Sequence, residues 1–362
     1  MKKLNLLYII LLGIILTNCG NTKNGENSIF TIDNSTFKPF YTTKDVLKVG
    51  VLNPNSKTID SIIYFINDVK ISTNKGNASL DFPFNNQKLG YQNIKALVYF
   101  GGDSSEATAR VELVSDVQPK LLKYTIINTF PHDTAAYTQG LEFYRDTLFE
   151  GTGNGQGASG KKGISSLRKT DYRTGKIYKK VELAEKFFGE GITVLNNKVY
   201  QLTYKNNEGY VYNADTFKKE KTFPYFKNME GWGLTTDGTN LYMTDSTENI
   251  HILDPNTFQP IGSIFVYSLD SKIKAVNELE WVNGKIYGNV YQKDAIAVIN
   301  PKNGAVEAII NLADLKKKIT QRIDTDVLNG IAYNTKTKTF FVTGKNWDKM
   351  FADYGKSEIL NL

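Results

Sequence analysis

Short runs in which apolar and polar residues alternate fill the first third of the chain. VLKVGVL, SIIYFIND, IKALVYF and ATARVELV lie between residues 46 and 114, separated by clusters of Asn, Gly, Ser and Lys. Alternation with a period of two predicts half-buried strands, and strands of this length and spacing predict a small antiparallel sandwich. We expect residues 29–118 to fold as an immunoglobulin-like β-sandwich. Because no catalytic constellation stands out in it, a spacer or binding module is the expected role.

A longer pattern repeats in residues 121–362. Its first half opens on Gly followed by Leu or Ile, then has a turn and a second apolar strand, and its five copies begin at Gly140, Gly191, Gly233, Glu278 and Gly330. Its second half is an apolar pair, then Asp or Asn, then a tight turn, as in KTDYRTGK, VYNADTFK, ILDPNTFQ and VINPKNGA. Successive copies start 42 to 52 residues apart, which is the spacing of four-stranded propeller blades. An array of β-sandwiches would also be periodic, but a closed ring leaves fewer exposed strand edges. The expected fold is therefore all-β, with a five-bladed β-propeller after the sandwich.

The N-terminus has the pattern of an export signal. Lys2 and Lys3 precede an apolar run over residues 4–16, which is short for a membrane span, and the only cysteine, Cys19, follows directly. This end resembles the lipobox of bacterial lipoproteins, so residues 1–18 are expected to be a signal peptide and Cys19 the lipidated residue. Residues 19–28 would be a tether to a membrane in the cell envelope, on the periplasmic or outer side. The alternative is an uncleaved anchor with an incidental cysteine.

Composition excludes several classes of site. The formal charge is +7, but the basic residues are scattered without an aromatic-interleaved stripe, so no nucleic-acid partner is expected. One cysteine excludes an intrachain disulfide framework. Two histidines, His132 and His251, lie far apart in sequence, so we expect no zinc site and no metal cofactor.

Two sets of equivalent repeat positions suggest a binding pocket. In a propeller the first strand of each blade lines a central channel, so equivalent residues form rings. The first ring precedes each repeated Gly-(Leu/Ile): Gln139, Glu190, Trp232, Asn277 and Asn329. The second ring ends each second strand: Gly153, Tyr204, Ser246, Tyr291 and Lys345. Both rings vary while the frame around them is constant, which favours a site built on a symmetric scaffold over drift in a wet channel.

Glu190 is the acid of the first ring. It lies between two glycines in KFFGEGITVL, and we expect the glycines to let the backbone turn and a ligand come close. Burial near Phe188, Tyr204 and Trp232 would raise the pKa of its carboxyl and suit it to acid–base work. The competing interpretation is a structural carboxylate that caps turn amides.

These segments resemble the plant and bacterial glutaminyl-peptide cyclotransferases. The matching pieces run in order through the repeat region: FPHDTAAYTQGLEF, LFEGTG, SSLRKTDYRTGK, FFGEGITVL, GWGLTTDG, NELEWVNGKIYGNVYQ, VLNGIAY and FVTGKNW. The resemblance implies a five-bladed propeller that converts the N-terminal glutamine of a peptide to pyroglutamate and releases ammonia. It implies a peptide substrate and no cofactor, and we also expect a monomer.

The resemblance also implies residue roles. Glu190 matches the catalytic acid/base, Gln139 and Asn277 match polar groups that hold substrate, Lys345 matches the pocket lysine, and Phe188 and Trp232 match apolar walls. Three positions depart from the family pattern: Tyr137 stands for Phe, and Tyr204 and Tyr291 stand for Trp. A tyrosine keeps a flat face but adds a hydroxyl and loses area. The two Trp-to-Tyr exchanges support one alternative, a catalytically weak or inactive peptide-binding propeller.

Two further interpretations are weaker. A propeller that cleaves sugars would call for several channel carboxylates or a metal, and the first ring offers only Glu190. The insertion NGQGASGKKG at residues 154–163 superficially resembles a phosphate loop. It lacks the strand-to-helix context and the GK[ST] ending of one.

Overall fold

The computed structural model describes residues 29–354, and their secondary structure is almost entirely β. The helical element in this range is a 3-10 turn, Leu315–Lys318, and no helix there has the length and hydropathy of a bilayer-spanning segment. The predicted signal peptide, Cys19 and the tether lie outside the described residues.

The first seven strands form two facing sheets. They are β1 (Thr31–Asp33), β2 (Val46–Leu52), β3 (Ser61–Ile66), β4 (Val69–Lys75), β5 (Leu80–Pro83), β6 (Gly90–Phe100) and β7 (Asp103–Leu113). One sheet has the order β1-β2-β5 and the other β4-β3-β6-β7, with antiparallel pairing throughout. Burial alternates along β3 and β6 as the sequence pattern predicts, and residues such as Leu47, Ile62 and Val98 form the core between the sheets.

Two short strands connect this module to the rest of the chain, and both join sheets formed much later. They are β8 (Lys120–Leu122) and β9 (Ile126–Pro131). Residues 137–354 then form five sheets, numbered here one to five in chain order.

Sheets one and two each use four consecutive strands. They are β10 (Tyr137–Tyr144), β11 (Thr147–Gly153), β12 (Ser166–Thr170) and β13 (Ile177–Glu182), then β14 (Gly189–Leu195), β15 (Lys198–Thr203), β16 (Glu208–Asn213) and β17 (Lys219–Pro224). Sheet three follows with β18 (Leu234–Thr236), β19 (Leu241–Thr244), β20 (Asn249–Leu253) and β21 (Pro260–Phe265). A small hairpin comes next, β22 (Tyr267–Ser268) with β23 (Ser271–Lys272).

Sheets four and five recruit the early strands. Sheet four has β24 (Val276–Val282), β25 (Lys285–Val290), β26 (Ala295–Ile299) and β27 (Val306–Asn311), and β8 adds to it in parallel. Sheet five has β28 (Leu328–Asn334), β29 (Thr339–Gly344) and β30 (Lys349–Tyr354), and β9 completes it as the fourth strand. The last sheet therefore joins the two ends of the repeat region.

The hydrophobic cores of this region lie between successive sheets. One core mixes sheets one and two, for example Phe149 with Val199, and the next mixes sheets two and three, for example Leu202 with Met243. Two more join sheets three, four and five, and a further core joins sheet five to sheet one through Leu141. The first strand of each sheet also contacts the first strand of the next, and β28 contacts β10. The sheets therefore close into a ring around a common centre.

Turn chemistry explains the regular lengths of the strands. Two-residue turns with positive φ at both positions join the first two strands in sheets one, two and four: Arg145–Asp146, Asn196–Asn197 and Asn283–Gly284. This turn type matches the twist of a hairpin. The predicted Asp/Asn turn closes the third and fourth strands, where the side chain accepts a backbone N–H, as from Arg173 to Asp171 at 2.9 Å and from Lys302 to Asn300 at 2.9 Å.

Candidate functional site

Irregular pairing in four sheets places four of the five first-ring residues where the first strands of the sheets meet. The register of the first two strands shifts between Thr138 and Gly140, Gly189 and Ile192, Val276 and Leu279, and Leu328 and Ile331. The skipped residues include Gln139, Glu190, Asn277 and Asn329, all of which are buried. A bulge takes a residue out of the ladder and redirects its side chain. The strands of the frame thus continue while the ring side chains are freed from the regular alternation.

The glycines beside the ring residues are required by close packing. A Cβ on Gly191 would lie 2.5 Å from the carbonyl oxygen of Trp232 and 2.6 Å from the amide of Leu234, and one on Gly189 would lie 2.6 Å from the carbonyl oxygen of Thr152. Neither glycine has a positive φ. The expectation for this pair is a turn of the backbone and the close approach of a ligand. The structure gives a different reason: the backbone of sheet one approaches Gly189, and the backbone at the start of sheet three approaches Gly191, too closely for a side chain.

Glu190 is a buried carboxyl with a free oxygen. Its residue surface is 4% exposed, and its Oε2 finds no hydrogen-bond partner within residues 29–354. Burial raises the pKa of Glu190 well above the usual range, the charge of Lys345 opposes the rise, and Glu230 reinforces it. Burial disfavours the charged carboxylate in this way because water no longer solvates it. The protonated form of the carboxyl is therefore favoured more than in a solvent-exposed glutamate, which suits the group to proton exchange.

Lys345 faces the same space from sheet five. It is 3% exposed, and its Nζ lies 4.9 Å from the ring centroid of Tyr137 and 5.2 Å from that of Tyr291. Burial lowers the pKa of Lys345, while Glu190 and Asp326 act to raise it. The ammonium is thus held by aromatic faces and by two carboxylates at longer range.

Two aromatic groups form the walls. On one side the Phe188 ring lies 6.0 Å from that of Tyr137 and 5.8 Å from that of Tyr204, between centroids. On the other side Trp232 meets Tyr291 edge to face at 5.4 Å. Lys345 contacts one tyrosine from each group, so the five aromatic residues and the lysine form one connected cluster.

Amide side chains occupy the three first-ring positions other than Glu190 and Trp232, namely Gln139, Asn277 and Asn329. Asn329 donates from Nδ2 to Gln139 Oε1 at 3.0 Å and to the backbone oxygen of Thr138 at 2.9 Å. Within the described chain, the side-chain oxygens of Asn277 and Asn329 have no hydrogen-bond partner. Buried polar atoms without partners are rare in folded proteins, so these acceptors are candidates to meet a bound molecule.

Two carboxylates that the sequence analysis missed anchor the walls. The Tyr137 hydroxyl donates to Asp326 at 2.7 Å, and Trp232 Nε1 donates to Glu230 at 3.2 Å. Glu230 also pairs with Lys205 at 3.2 Å. Burial acts to raise the pKa of Glu230, but hydrogen bonds from Lys205, Tyr204, Ser246 and Trp232 outweigh it and lower the pKa. No repeat position marks Asp326 or Glu230, since each lies in a connection whose length varies.

Glu278 is a third missed carboxyl, and its signal was visible. It stands where the other repeats have Gly140, Gly191, Gly233 and Gly330. Its two oxygens accept the backbone amides of Leu141 at 3.1 Å and Ile331 at 2.7 Å, which ties sheets one, four and five together. Burial raises the pKa of Glu278 well above the ordinary value, against the two amides, and Glu142 adds to the rise. Both oxygens are occupied, so its role is structural.

A buried polar network supports the site between sheets five and one. The His132 ring bonds to Glu150 Oε1 and to the backbone oxygen of Trp347, both at 2.9 Å. Burial alone would lower the pKa of His132, but Glu150 and the Trp347 carbonyl outweigh it and raise the pKa. Thr138 adds a 2.8 Å bond to Glu150. The network fixes the segments that carry Gln139 and Lys345.

The arrangement is that of a proton-transfer site with polar contacts. A carboxyl with a raised pKa and a lysine with a lowered pKa act on each other's charge, and the equivalent positions of neighbouring sheets carry unpaired amide oxygens. In residues 29–354 no group of three His, Cys, Asp or Glu side chains is placed to hold a metal ion. Such a site can accept and return a proton on a small planar polar group.

Comparison with known proteins gives consistent matches. The model of the glutamine cyclotransferase family matches residues 97–352. Glutaminyl-peptide cyclotransferase of Arabidopsis thaliana is 36% identical over 239 residues, which are 65% of this chain and 72% of that protein. The crystal structure of Myxococcus xanthus glutaminyl cyclase superposes with a TM-score of 0.59 at 28% identity, covering 65% of this chain and 97% of that one.

Proposed function

The chain belongs to the glutamine cyclotransferase family, and from this premise we propose that it converts N-terminal glutamine of peptides to pyroglutamate with release of ammonia. One observation carries the proposal. The Glu190 carboxyl is buried, keeps an unpaired oxygen and lies within the electrostatic reach of Lys345, at the centre of the ring of sheets. A glutamine side chain presents the planar amide that such a cavity accepts.

The reaction joins two ends of one residue. The α-amine attacks the side-chain amide carbon, a C–N bond forms and closes a five-membered lactam, and the C–NH2 bond breaks. Because the attack is intramolecular, the enzyme has to hold the reactive rotamer and move protons. Aromatic walls on two sides, Phe188 with Tyr137 and Tyr204, and Trp232 with Tyr291, restrict that rotamer and exclude water.

Glu190 supplies the proton transfer in this proposal. Its carboxylate takes a proton from the attacking amine and returns it to the departing nitrogen, which leaves as ammonia. The raised pKa of Glu190 favours the protonated form of the carboxyl, so the proton is readily taken from the amine.

Lys345 and Asn277 have complementary roles. The Lys345 ammonium stabilises the oxygen that gains negative charge in the tetrahedral intermediate. The unpaired Asn277 Oδ1 is an acceptor, so it suits an N–H of the substrate. Gln139 accepts a hydrogen bond from Asn329 and so fixes the orientation of both amide side chains.

The same proposal includes the finer architecture. The five sheets act as the blades of a five-bladed β-propeller over residues 121–362, preceded by an immunoglobulin-like sandwich over residues 29–118. The interleaved cores and the closure of sheet five by β9 support this assignment.

We also propose that Cys19 carries a lipid that holds the enzyme at a bacterial envelope membrane. The support is the position of Cys19 after the apolar run 4–16. Incorporation of labelled palmitate into the chain, and its loss in Cys19→Ser, tests that anchor.

The activity is tested with one peptide in two forms. The full chain is incubated with a peptide that begins with glutamine and with the same peptide acetylated at its α-amine. We expect equimolar ammonia and pyroglutamyl peptide from the free form and neither from the blocked form. Saturable binding of the free peptide without ammonia release would instead establish a binding protein and overturn the proposal.

A further inference from the structure

The insertion at residues 154–163 folds into a defined loop on the rim of the candidate site. Gly160 donates to the Gly157 oxygen at 3.0 Å and Gly163 to the Gly155 oxygen at 2.8 Å. Ser159 joins the loop to the segment that precedes β28, because its amide and its hydroxyl each donate to Asp324 at 2.7 Å. The loop is therefore held in place from both sides.

The loop borders an open cleft of about 390 Å³. Its walls come from the β9–β10 connection, this loop, β13 and the segment before β28, and they include Lys161, Lys162, Ile164, Lys180, Arg322 and Ile323. The mechanism proposed above uses none of these residues.

The carboxylates of the cleft accept hydrogen bonds from nearby groups, whereas its cations have few partners. Its two carboxylates are occupied internally: Asp133 accepts Ala135 and Arg168 at 2.9 and 2.7 Å, and Asp324 accepts Ser159 on both oxygens. The cations keep spare donors. Lys161 has no ion pair within residues 29–354, and Arg322 donates from Nη2 to the Asn346 carbonyl. The hydrogen bonds from Ser159 lower the pKa of Asp324, and the charges of both cations lower it further, without an ion pair at contact distance in the described residues.

Two more cations have weak partners. Lys162 pairs with Glu185 at 3.3 Å, where the two side chains are 50% and 87% exposed. Lys180 pairs with Glu182 on the outer strand, also at an exposed position. Exposed pairs of this kind contribute little and exchange readily. The cleft therefore presents an unfilled positive surface.

Apolar surface lies beside these cations. Ile164 is 50% exposed and Ile323 is 70% exposed, and both line the cleft. A free inorganic anion would leave these side chains in water. An acidic peptide, which carries both backbone and aliphatic surface with its carboxylates, matches the combination better.

The cleft is continuous with the candidate site through shared segments. Gly155 lies against the Tyr137 ring, where any Cβ would come within 2.7 Å of it. Arg322 bonds to the carbonyl of Asn346, the residue after Lys345. These contacts bring the cleft next to the candidate site, on the side where the later residues of a peptide bound by its first residue would lie.

We propose that the cleft binds acidic side chains that follow the N-terminal glutamine, so that the preferred substrates are glutaminyl peptides with Asp or Glu in the next few positions. This inference rests on the proposed function for the identity of the first residue. Selectivity arises because carboxylates near the glutamine meet Lys161, Lys162 and Arg322, whereas basic side chains are repelled there.

The test compares three matched peptides, which begin with Gln-Gly and continue with two Asp, two Ser or two Lys residues. Ammonia release by the full chain gives kcat/KM, and fluorescence polarisation of labelled peptides gives affinity without relying on turnover. At low salt we expect the Asp peptide to exceed the Ser peptide by about tenfold in both measures, and the Lys peptide to be poorest. The preference should shrink at high salt.

The variant Lys161→Glu/Lys162→Glu should abolish or invert the Asp-to-Ser ratio, and Lys302→Glu, an exposed lysine on a remote turn of sheet four, should leave it unchanged. Equal kcat/KM for all three peptides would overturn the cleft proposal and leave the proposed function standing. If no ammonia is released but the Asp peptide still binds best, the proposed function is wrong and the cleft proposal stands.

A membrane surface is the other candidate partner for this cleft, and it is represented by anionic phosphatidylglycerol vesicles. If charge reversal weakens co-sedimentation of the Cys19→Ala chain with them but leaves peptide preference intact, the proposal is wrong.

Discussion

At the scale of single residues, the site depends on two buried ionisable groups whose charges influence each other. Burial pushes the pKa of Glu190 up and that of Lys345 down, and each charge opposes the shift of the other. Neither group forms a direct ion pair in the part of the chain that the structure describes. Both therefore remain able to interact with a substrate. Burying them without a direct ion pair lowers the free energy of unfolding, and the packing of the rest of the fold offsets this loss.

Lys345→Met should move the pH dependence of the reaction in a defined direction. The lysine lowers the pKa of Glu190, so its removal raises that pKa further and less carboxylate is present at a given pH. We expect the acidic limb of the kcat/KM profile to shift to higher pH, together with a fall in rate of about a hundredfold from the lost oxyanion partner. The control for general charge effects is Lys186→Met, at an exposed position four residues before Glu190. An acidic limb at the parental pH or below would contradict the coupling.

At the scale of elements, the bulges explain what the repeat pattern could and could not predict. Strand positions and turns followed from local alternation and from Asn, Asp and Gly placement, since both are properties of neighbouring residues. The repeat also aligned Gln139, Glu190, Asn277 and Asn329 because equivalent positions in a ring meet at its centre. The register shifts at those positions leave no comparable local pattern, and the structure was needed to find them.

The residues that the sequence could not predict act across sheets. Glu230 and Asp326 reach Trp232 and Tyr137 from connections of variable length, so no periodicity marks them. The sequence showed the two glycines that flank Glu190 but not the reason for them, because the obstructing backbone atoms belong to other sheets, at Thr152 and Trp232.

Gly191→Ala should test the close approach of first strands. Its Cβ would meet backbone atoms of Trp232 and Leu234, which cannot move aside as a flexible side chain could. We expect a loss of about 3 kcal/mol in the free energy of unfolding, the upper end for overpacking, measured by urea denaturation. In Gly262→Ala the nearest atom is 3.6 Å away, so that control should be neutral or gain about 0.5 kcal/mol. Equal stabilities for the two variants would contradict this reason for the glycine.

At the scale of the whole molecule, the N-terminal module and the ring of sheets share a core. Tyr267, in the hairpin after sheet three, is fully buried within the core of the first module. Its hydroxyl donates to Glu112 at 2.6 Å, and Lys272 pairs with the same carboxylate at 3.0 Å. Backbone bonds add to the contact, from Leu89 to Asn303 at 3.1 Å and from Ser115 to Leu269 at 3.1 Å. The module is thus packed against the ring and is more than a linker.

Tyr267→Ala should therefore weaken both parts together. Removing a buried aromatic side chain costs about 3–5 kcal/mol, and here the cavity would lie in the shared core. We expect calorimetry to show a lower Tm and, with the interface lost, a separation of the single transition into two. Tyr178→Ala, at a residue that is 57% exposed, should change stability by less than about 0.5 kcal/mol. An unchanged single transition in Tyr267→Ala would show that the modules are not coupled through this residue.

The central claim is that the buried carboxyl at the middle of the ring performs the proton transfer, and Glu190→Gln tests it most directly. Ammonia release from a glutaminyl peptide is measured for the full chain, for this variant and for Glu220→Gln, an exposed carboxylate on β17. We expect Glu190→Gln to lose about 10²- to 10⁴-fold in kcat. Its Tm at neutral pH should be at least that of the parent, because a neutral amide avoids the cost of ionising a buried carboxyl whose pKa is raised. Glu220→Gln should match the parent. A folded Glu190→Gln variant that releases ammonia at the parental rate would contradict the account.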